Sequence, residues 1–254
     1  MTSQAPVAVT QSEPELLGQT VVVIGGSAGI GLETARRARA EGASVILTAR
    51  DPGRLERAAA ELGARSSAAF DATDWAALDR FFAGLPETID HVMVTGPGPY
   101  YAPLPDLDRE RAHRDFDHHV WLAVAVAQHA VGRVRPGGTL LFMGGTGGRS
   151  RGPGLSLIAA GTAALPALIA NLAVEVAPVR VNLIAAGFVD TPLSAELLGD
   201  DLEARREQLR ATLPTGRVVG PADVAALAVH IMTNPALTGA TYDIDGGQQL
   251  VARS

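Results

Sequence analysis

Short unbroken apolar runs alternate with longer stretches of helical period along this 254-residue chain. The runs Thr20–Ile24, Ser44–Thr48, His91–Thr95, Thr139–Met143, Arg180–Ala185 and Ala240–Ile244, with a weaker one at Ser66–Phe70, predict seven strands. Continuous rather than alternating hydrophobicity marks strands covered on both faces, as in a parallel sheet. Between them, Leu55, Ala58, Ala59 and Leu62 share one helical stripe, and Trp75, Leu78, Phe81, Phe82 and Leu85 share another. Longer helices are predicted over Arg109–Val134, Leu157–Ala177 and Glu196–Leu213. A last one covers Ala222–Met232, opened by Pro221 at a first-turn position. This alternation predicts an α/β fold, a Rossmann-like doubly wound parallel sheet of about seven strands with helices on both faces. No repeat or low-complexity linker divides the chain, so residues 18–254 are expected to form one domain behind a loose tail over 1–17.

Composition narrows the partners. Hydrophobic residues make up 47% of the chain, enough for a sizeable core. All 21 basic residues are Arg, against 27 Asp and Glu, and the net charge of −6 argues against nucleic acid or an anionic membrane. The absence of Cys excludes disulfides, thiolate nucleophiles and cysteine–zinc sites, and suits a reducing cytoplasm. His91, His113, His129 and His230 show no metal-like spacing, so no metal site is expected. The opening MTSQAPVAVTQSEPELL has no basic stretch followed by a long apolar one and does not read as a signal peptide. No apolar run reaches membrane-spanning length.

The most informative segment is residues 21–51. Val21 to Ile24 breaks into Gly25-Gly26-Ser27-Ala28-Gly29-Ile30-Gly31, followed by an Arg- and Ala-rich helical stretch and a second strand ending in Thr48-Ala49-Arg50. Strand, glycine turn, helix and strand form the unit that holds a dinucleotide. The glycines let backbone approach the pyrophosphate, and the new helix offers free N–H groups and a positive dipole end. Gly25, Ser27, Ala28, Gly29, Ile30 and Gly31 are the candidate contacts. An acid at the end of the second strand would bond the ribose 2′-hydroxyl, but Ala49 stands there and Arg50 follows. Arg50, with Arg54 one helical turn on, can grip a 2′-phosphate, so NADP(H) is favoured over NAD(H).

From about Gly18 to Leu250 the chain resembles the short-chain dehydrogenase/reductase family. IGGSAGIG at 24–31 matches that family's TGxxxGIG, and Phe70-Asp71-Ala72-Thr73-Asp74 is similar to the segment whose Asp meets the adenine. RVNLIAAGFVDTPL at 180–193 resembles RVNxVxPGxxxTxx, which places Gly187 and Thr191 beside the nicotinamide. GRVVGPADVAALAVHIM and GATYDIDGG match the closing helix and last strand. The family's cofactor-supporting NNAG turn reads Thr95-Gly96-Pro97-Gly98. The resemblance implies an NADP(H)-dependent oxidoreductase acting on a small organic substrate, with Asp71, Ala72 and Gly96 also bordering the cofactor. It also implies a homodimer or homotetramer. The two long helices would build one contact, through Leu165, Leu168, Leu172 and Val176 on one and Trp121, Val124 and Gln128 on the other. The last strand would build the second.

The proton-transfer set departs from that family. Aligning Thr162-Ala163-Ala164-Leu165 with the family's KAAL places Ile158 at the catalytic Tyr and Thr162 at the Lys. Counting back puts Gly145 at the Ser, and FDHHVW at 116–121 puts His119 at the Asn. No misalignment rescues the set, because the chain has no Lys and no Tyr between 102 and 241. The replacement donors to consider are Tyr100, Tyr101 and His119. His118 and His119 lie about 100° apart on a helix, so only one of them faces the site. Thr146, Ser156 and Thr162 can hydrogen-bond a substrate but are poor acids. Three functions therefore compete. One is an oxidoreductase with a non-standard proton donor, or with a substrate that needs little protonation, such as a conjugated enone or an activated imine. The second is a catalytically inactive NADP(H)-binding sensor or scaffold. The third is a non-redox enzyme that reuses the pocket.

Overall fold

The computed structural model describes residues 13–96, 98–149 and 151–251. Seven strands, β1 (Thr20–Ile24), β2 (Ser44–Ala49), β3 (Ser66–Ala69), β4 (Ile89–Val94), β5 (Val134–Gly145), β6 (Arg180–Ala186) and β7 (Thr241–Ile244), form one sheet. Their order is β3-β2-β1-β4-β5-β6-β7, and every neighbouring pair is parallel. The order reverses between β1 and β4, which opens a crevice at their carboxyl ends, where α/β sheets bind ligands.

Alternate residues of each central strand feed opposite layers. Val22, Ile24, Val92, Val94, Leu140 and Phe142 face α3 (Trp75–Ala83), α4 (Arg109–Ala130) and α5 (Ser156–Glu175). Val21, Val23, Val45, Leu47, Met93 and Leu141 face α1 (Gly29–Ala40), α2 (Pro52–Leu62) and a C-terminal helix over Pro221–Thr233. Both faces of β1, β4 and β5 are therefore dry, which explains why their sequences do not alternate. The edge strands β3 and β7 are less covered. Ser66 and Ser67 of β3 are exposed, and its sequence signal is correspondingly weak.

Several boundaries differ from expectation. Residues 1–12 of the expected tail, residues 252–254 of the expected domain, and Pro97 lie outside the described residues. Leu16 is fully buried and its N–H bonds Glu41 O at 3.0 Å, so the ordered domain begins before residue 18. The helix expected over Glu196–Leu213 is two helices, α6 (Pro192–Leu198) and α7 (Leu202–Thr212). Gly199 parts them at φ +50, which a continuous helix does not allow. The Pro221–Thr233 helix is accordingly α8. The helix from Arg109 stops at Ala130, because Val131 is extended and Gly132 takes φ +76.

A further correction concerns the expected assembly stripe. Leu165 and Leu172 are buried in the chain's own core, with Leu168 and Val176 packed against it. The residues of α5 turned to solvent are instead Ala160, Ala163, Ala167, Ala170 and Val174, with Ser156, Asn171 and Glu175. This helix is 20 residues long with a hydropathy of 1.9, apolar on every side, so its own sequence could not say which face meets the sheet.

Candidate active site

The glycine turn is built from backbone contacts that exclude side chains. Gly25 and Gly26 N–H groups both bond Thr48 O at 2.9 Å, which anchors the turn to β2. Thr95 Oγ1 bonds Ile24 O at 3.0 Å and Gly25 O at 3.2 Å, anchoring it to β4. A Cβ on Gly25, which sits at φ +89, would lie 2.0 Å from Thr95 Oγ1, and one on Gly31 would lie 2.1 Å from Gly25 O. Helix α1 can therefore start directly on the turn. Its N-cap, Ala28, has no side-chain cap and its first turn has no acid, which leaves free N–H groups and a positive dipole end facing the crevice. An uncapped helix start beside a turn that admits only glycine at 25 and 31 fits a dinucleotide's pyrophosphate.

The rest of the expected cofactor site gathers along the same edge. Thr191 packs against Gly29, 3.5 Å from where its Cβ would stand. Gly187 meets Asp245 so closely that a Cβ would fall 2.5 Å from the Asp245 Cβ. Space above Gly96 is open, with nothing within 4 Å of a Cβ there. Ser27 and Ile30 are half-buried in the turn. Arg50 is exposed at the end of β2. Arg54 is engaged elsewhere, its Nε 3.3 Å from Asp51 Oδ2 and its N–H capped by Asp51 Oδ1 at 2.8 Å. At the end of β3, partial burial pushes the Asp71 carboxyl up. Hydrogen bonds from the Thr73 N–H (2.9 Å) and Oγ1 (2.8 Å), with the charges of Arg50 and His118, outweigh it and hold Asp71 below the usual carboxylate range. Ala72 packs on the core beside it.

Deeper in, Gly145, Ile158 and Thr162 lie together, with His119 on the neighbouring α4. A Cβ on Gly145 would stand at ordinary contact, 3.6 Å from Thr162 Cγ2 and 3.5 Å from Ala186 O. Ile158 and Thr162 are buried on α5, and Thr162 Oγ1 donates to Ile158 O at 2.7 Å. His119 reaches α5 from α4, its Cβ 4.0 Å from where a side chain on Gly161 would begin. Its Nδ1 lies 2.8 Å from Asp115 O and 3.6 Å from Asp115 Oδ2. A carbonyl only accepts, so Nδ1 carries a hydrogen and donates it. His119 lines a small cavity with His118, Val94, Gly96, Leu122, Phe142, Met143 and Leu165.

The tyrosines are placed differently. Tyr100 is buried, its hydroxyl accepts the Asp108 N–H at 3.1 Å, and Arg111 stacks 4.3 Å from its ring centre. These contacts anchor the start of α4. Tyr101 is 53% exposed. Neither lines the cavity beside Gly96. Among the described residues no cluster of His and carboxylates could hold a metal.

A family model described as enoyl-(acyl carrier protein) reductase matches residues 25–249, nearly the whole domain. The chain belongs to the short-chain dehydrogenase/reductase family. It is similar to the short-chain dehydrogenase/reductase malC of Malbranchea aurantiaca, 27% identical over 265 residues, covering 96% of this chain and 100% of that one. The solved structure described as MalC Reductase/Diels-Alderase superposes with a TM-score of 0.87 over 95% of this chain and all of the other, at 27% identity. BdcA in complex with NADPH matches with a TM-score of 0.81 and 27% identity over 91% of this chain and 95% of that one. Membership of this family and an intact glycine turn make the chain a nicotinamide-dinucleotide-binding protein of an oxidoreductase family.

Two parts of the site escape sequence reasoning. Asp115, one helical turn before His119, orients that imidazole through its Nδ1, and the i,i+4 spacing on α4 was its available signal. Arg149, in the loop after β5, pairs with Asp243 on β7 at 2.5 and 3.0 Å and also bonds Gln249. That clasp ties the loop beside Gly145 to the C-terminal segment. The partners are 94 residues apart, beyond any local pattern.

Proposed function

We propose that the chain is an NADP(H)-dependent oxidoreductase for a small organic substrate whose proton chemistry does not use the family's Tyr–Lys pair. One juxtaposition carries this reading: a cradle closed to all but glycine at 25 and 31 stands beside Ile158, a hydrocarbon, at the family's proton-donor position. Bound NADPH supplies a hydride. The chain's residues hold and orient. Gly25 to Gly31 and the first turn of α1 take the pyrophosphate, Arg50 takes the 2′-phosphate, and Asp71 with Ala72 borders the adenine. Gly96, Gly187 and Thr191 border the nicotinamide, while Ile158 keeps water from that end. Of the three candidate donors, His119 is the one that lines the cavity, and its Nδ1–H is held by Asp115 O.

The same Ile158 also favours a second reading, a sensor or scaffold that binds NADP(H) without turnover. A non-redox enzyme is a third, in keeping with the relative whose description pairs Reductase with Diels-Alderase. The cysteine-free composition supports a reducing compartment, the cytoplasm. A homodimer or homotetramer is supported by the solvent-facing apolar surface of α4 and α5, where Trp121 is 56% and Val174 78% exposed. NADPH fluorescence on mixing, then a turnover screen over ketones, enones and imines, separates the readings. Binding without turnover of any class sinks the oxidoreductase reading.

A further inference from the structure

The turn that follows β6 carries Gly187, and the C-terminal segment stands directly against it. A Cβ on Gly187 would lie 2.5 Å from the Asp245 Cβ and 2.7 Å from Gln248 Oε1. The N–H groups of Gly187 and Asp190 bond main-chain carbonyls, Ile244 O at 3.2 Å and Val219 O at 2.9 Å. The N–H of Phe188, between them, bonds a side chain instead, Gln248 Oε1 at 2.8 Å. An N–H only donates, so the oxygen of the Gln248 amide faces it. The peptide plane that joins Gly187 to Phe188 is thus held by a side chain 60 residues further along the sequence.

The mount that carries Gln248 is itself fixed. Asp245 is buried, and its carboxylate accepts the N–H groups of Gly247 at 2.8 Å and Gln249 at 3.1 Å. Gln248 N–H bonds Asp245 O at 3.1 Å, and Thr215 N–H, beyond α7, bonds Gly246 O at 3.4 Å. Arg149, in the loop after β5, clasps the same segment through Asp243 and Gln249. A group held this firmly has little freedom left to lose, so it passes its position on to its partner. We infer that Gln248 is a positioning residue for the nicotinamide end of the cofactor, acting through the Gly187–Phe188 peptide. This rests on the reading above in which Gly187 borders the nicotinamide, and it names the side chain that holds that border in place. Without the Gln248 oxygen the Phe188 N–H loses its acceptor and the peptide is free to turn. The nicotinamide then meets a wall that must be ordered on binding.

The test uses the full chain and Gln248→Met, which keeps the length of the side chain and removes the acceptor. Calorimetry compares NADPH with 2′-phospho-ADP-ribose, which has the same adenosine end and pyrophosphate but no nicotinamide. The variant is expected to bind NADPH about fivefold more weakly, the size of one neutral hydrogen bond, and 2′-phospho-ADP-ribose within about twofold of the parent. A loss of fold alone would weaken both ligands together. Amide hydrogen exchange, resolved by residue, reads the bond directly. Phe188 should be protected in the parent and exchange roughly tenfold faster in the variant, while Gly187 and Asp190 keep their protection. Equal loss for the two ligands, or no loss for either, overturns the role of Gln248 and leaves the cofactor reading standing. Binding of neither ligand by the parent overturns both. An unprotected Phe188 amide in the parent overturns the role of Gln248 even if the variant does not fold.

Discussion

The Thr162 hydroxyl donates to the carbonyl of Ile158 at 2.7 Å, so the two residues we place at the family's Lys and Tyr positions are bonded to each other. This closure is internal to α5. It leaves room rather than bulk in the site, because a Cβ at Gly145 meets only ordinary contacts.

Rebuilding the missing set should therefore restore the missing chemistry. The triple variant Gly145→Ser, Ile158→Tyr, Thr162→Lys is expected to raise NADPH-dependent reduction of a simple ketone by about 10²-fold or more. Steady-state assays on the purified variant measure it. A folded, NADPH-binding variant with no gain would show that the family register placed on residues 145, 158 and 162 is wrong.

Arg50 should decide between the two nicotinamide dinucleotides. NADPH is expected to bind more tightly than NADH by about tenfold or more, roughly 1.4 kcal/mol. Arg50→Ala should erase most of that difference and leave NADH binding nearly unchanged. Arg54→Ala should do much less, since Arg54 is held by Asp51. Fluorescence titrations give all the constants. Equal affinities in the parent protein sink the idea.

The glycines of the site should split into two kinds. Gly31→Ala places a methyl 2.1 Å from Gly25 O and is expected to abolish NADPH binding or to cost about 3 kcal/mol of stability. Gly145→Ala, with its nearest contact at 3.5 Å, should leave both the melting temperature and NADPH affinity close to the parent's. Calorimetric melting with and without NADPH tests the pair. Similar behaviour of the two variants would mean the turn is not rigid in solution.

His91 should shape acid stability. It is 1% exposed at the amino end of β4, its Nε2 2.7 Å from Gln19 Oε1. Burial, with Arg135 and Arg180 nearby, pushes it down from 6.5 to about 3 against the opposing charge of Asp90. The unfolded chain thus takes up this proton first. Stability is full above about pH 6.5 and falls towards pH 3, by at most about 1.4 kcal/mol per pH unit from this group. His91→Gln, which does not titrate, should flatten that limb, so the parent's advantage shrinks as pH falls. Urea denaturation at pH 7.0, 5.5 and 4.5 measures it, and parallel curves for the two proteins would contradict the assignment.

The sequence alone determined the class of fold, the seven strands and the dinucleotide turn. Each of these follows from local pattern: short unbroken apolar runs of β-branched residues such as Val21–Ile24 suit a strand buried on both faces, and the glycines at 25 and 31 suit a turn that admits no Cβ there. It also showed, by the absence of Lys, that the family's proton-transfer set is missing. The orientation of uniformly apolar α5 was not legible. Period 3.6 identifies a helix but cannot choose a face when every face is apolar, so only packing on the sheet sent Leu165 and Leu172 inward and Val174 outward. Nor were the roles of Tyr100 and His119 legible, although both residues could be named. Tyr100 Oη meets Asp108 N–H, and His119 Nδ1 meets Asp115 O beside a cavity walled by β4, β5 and α5. Side chains acquire partners through distance in space, and distances between elements are fixed by how the layers close around the core, which no local pattern encodes.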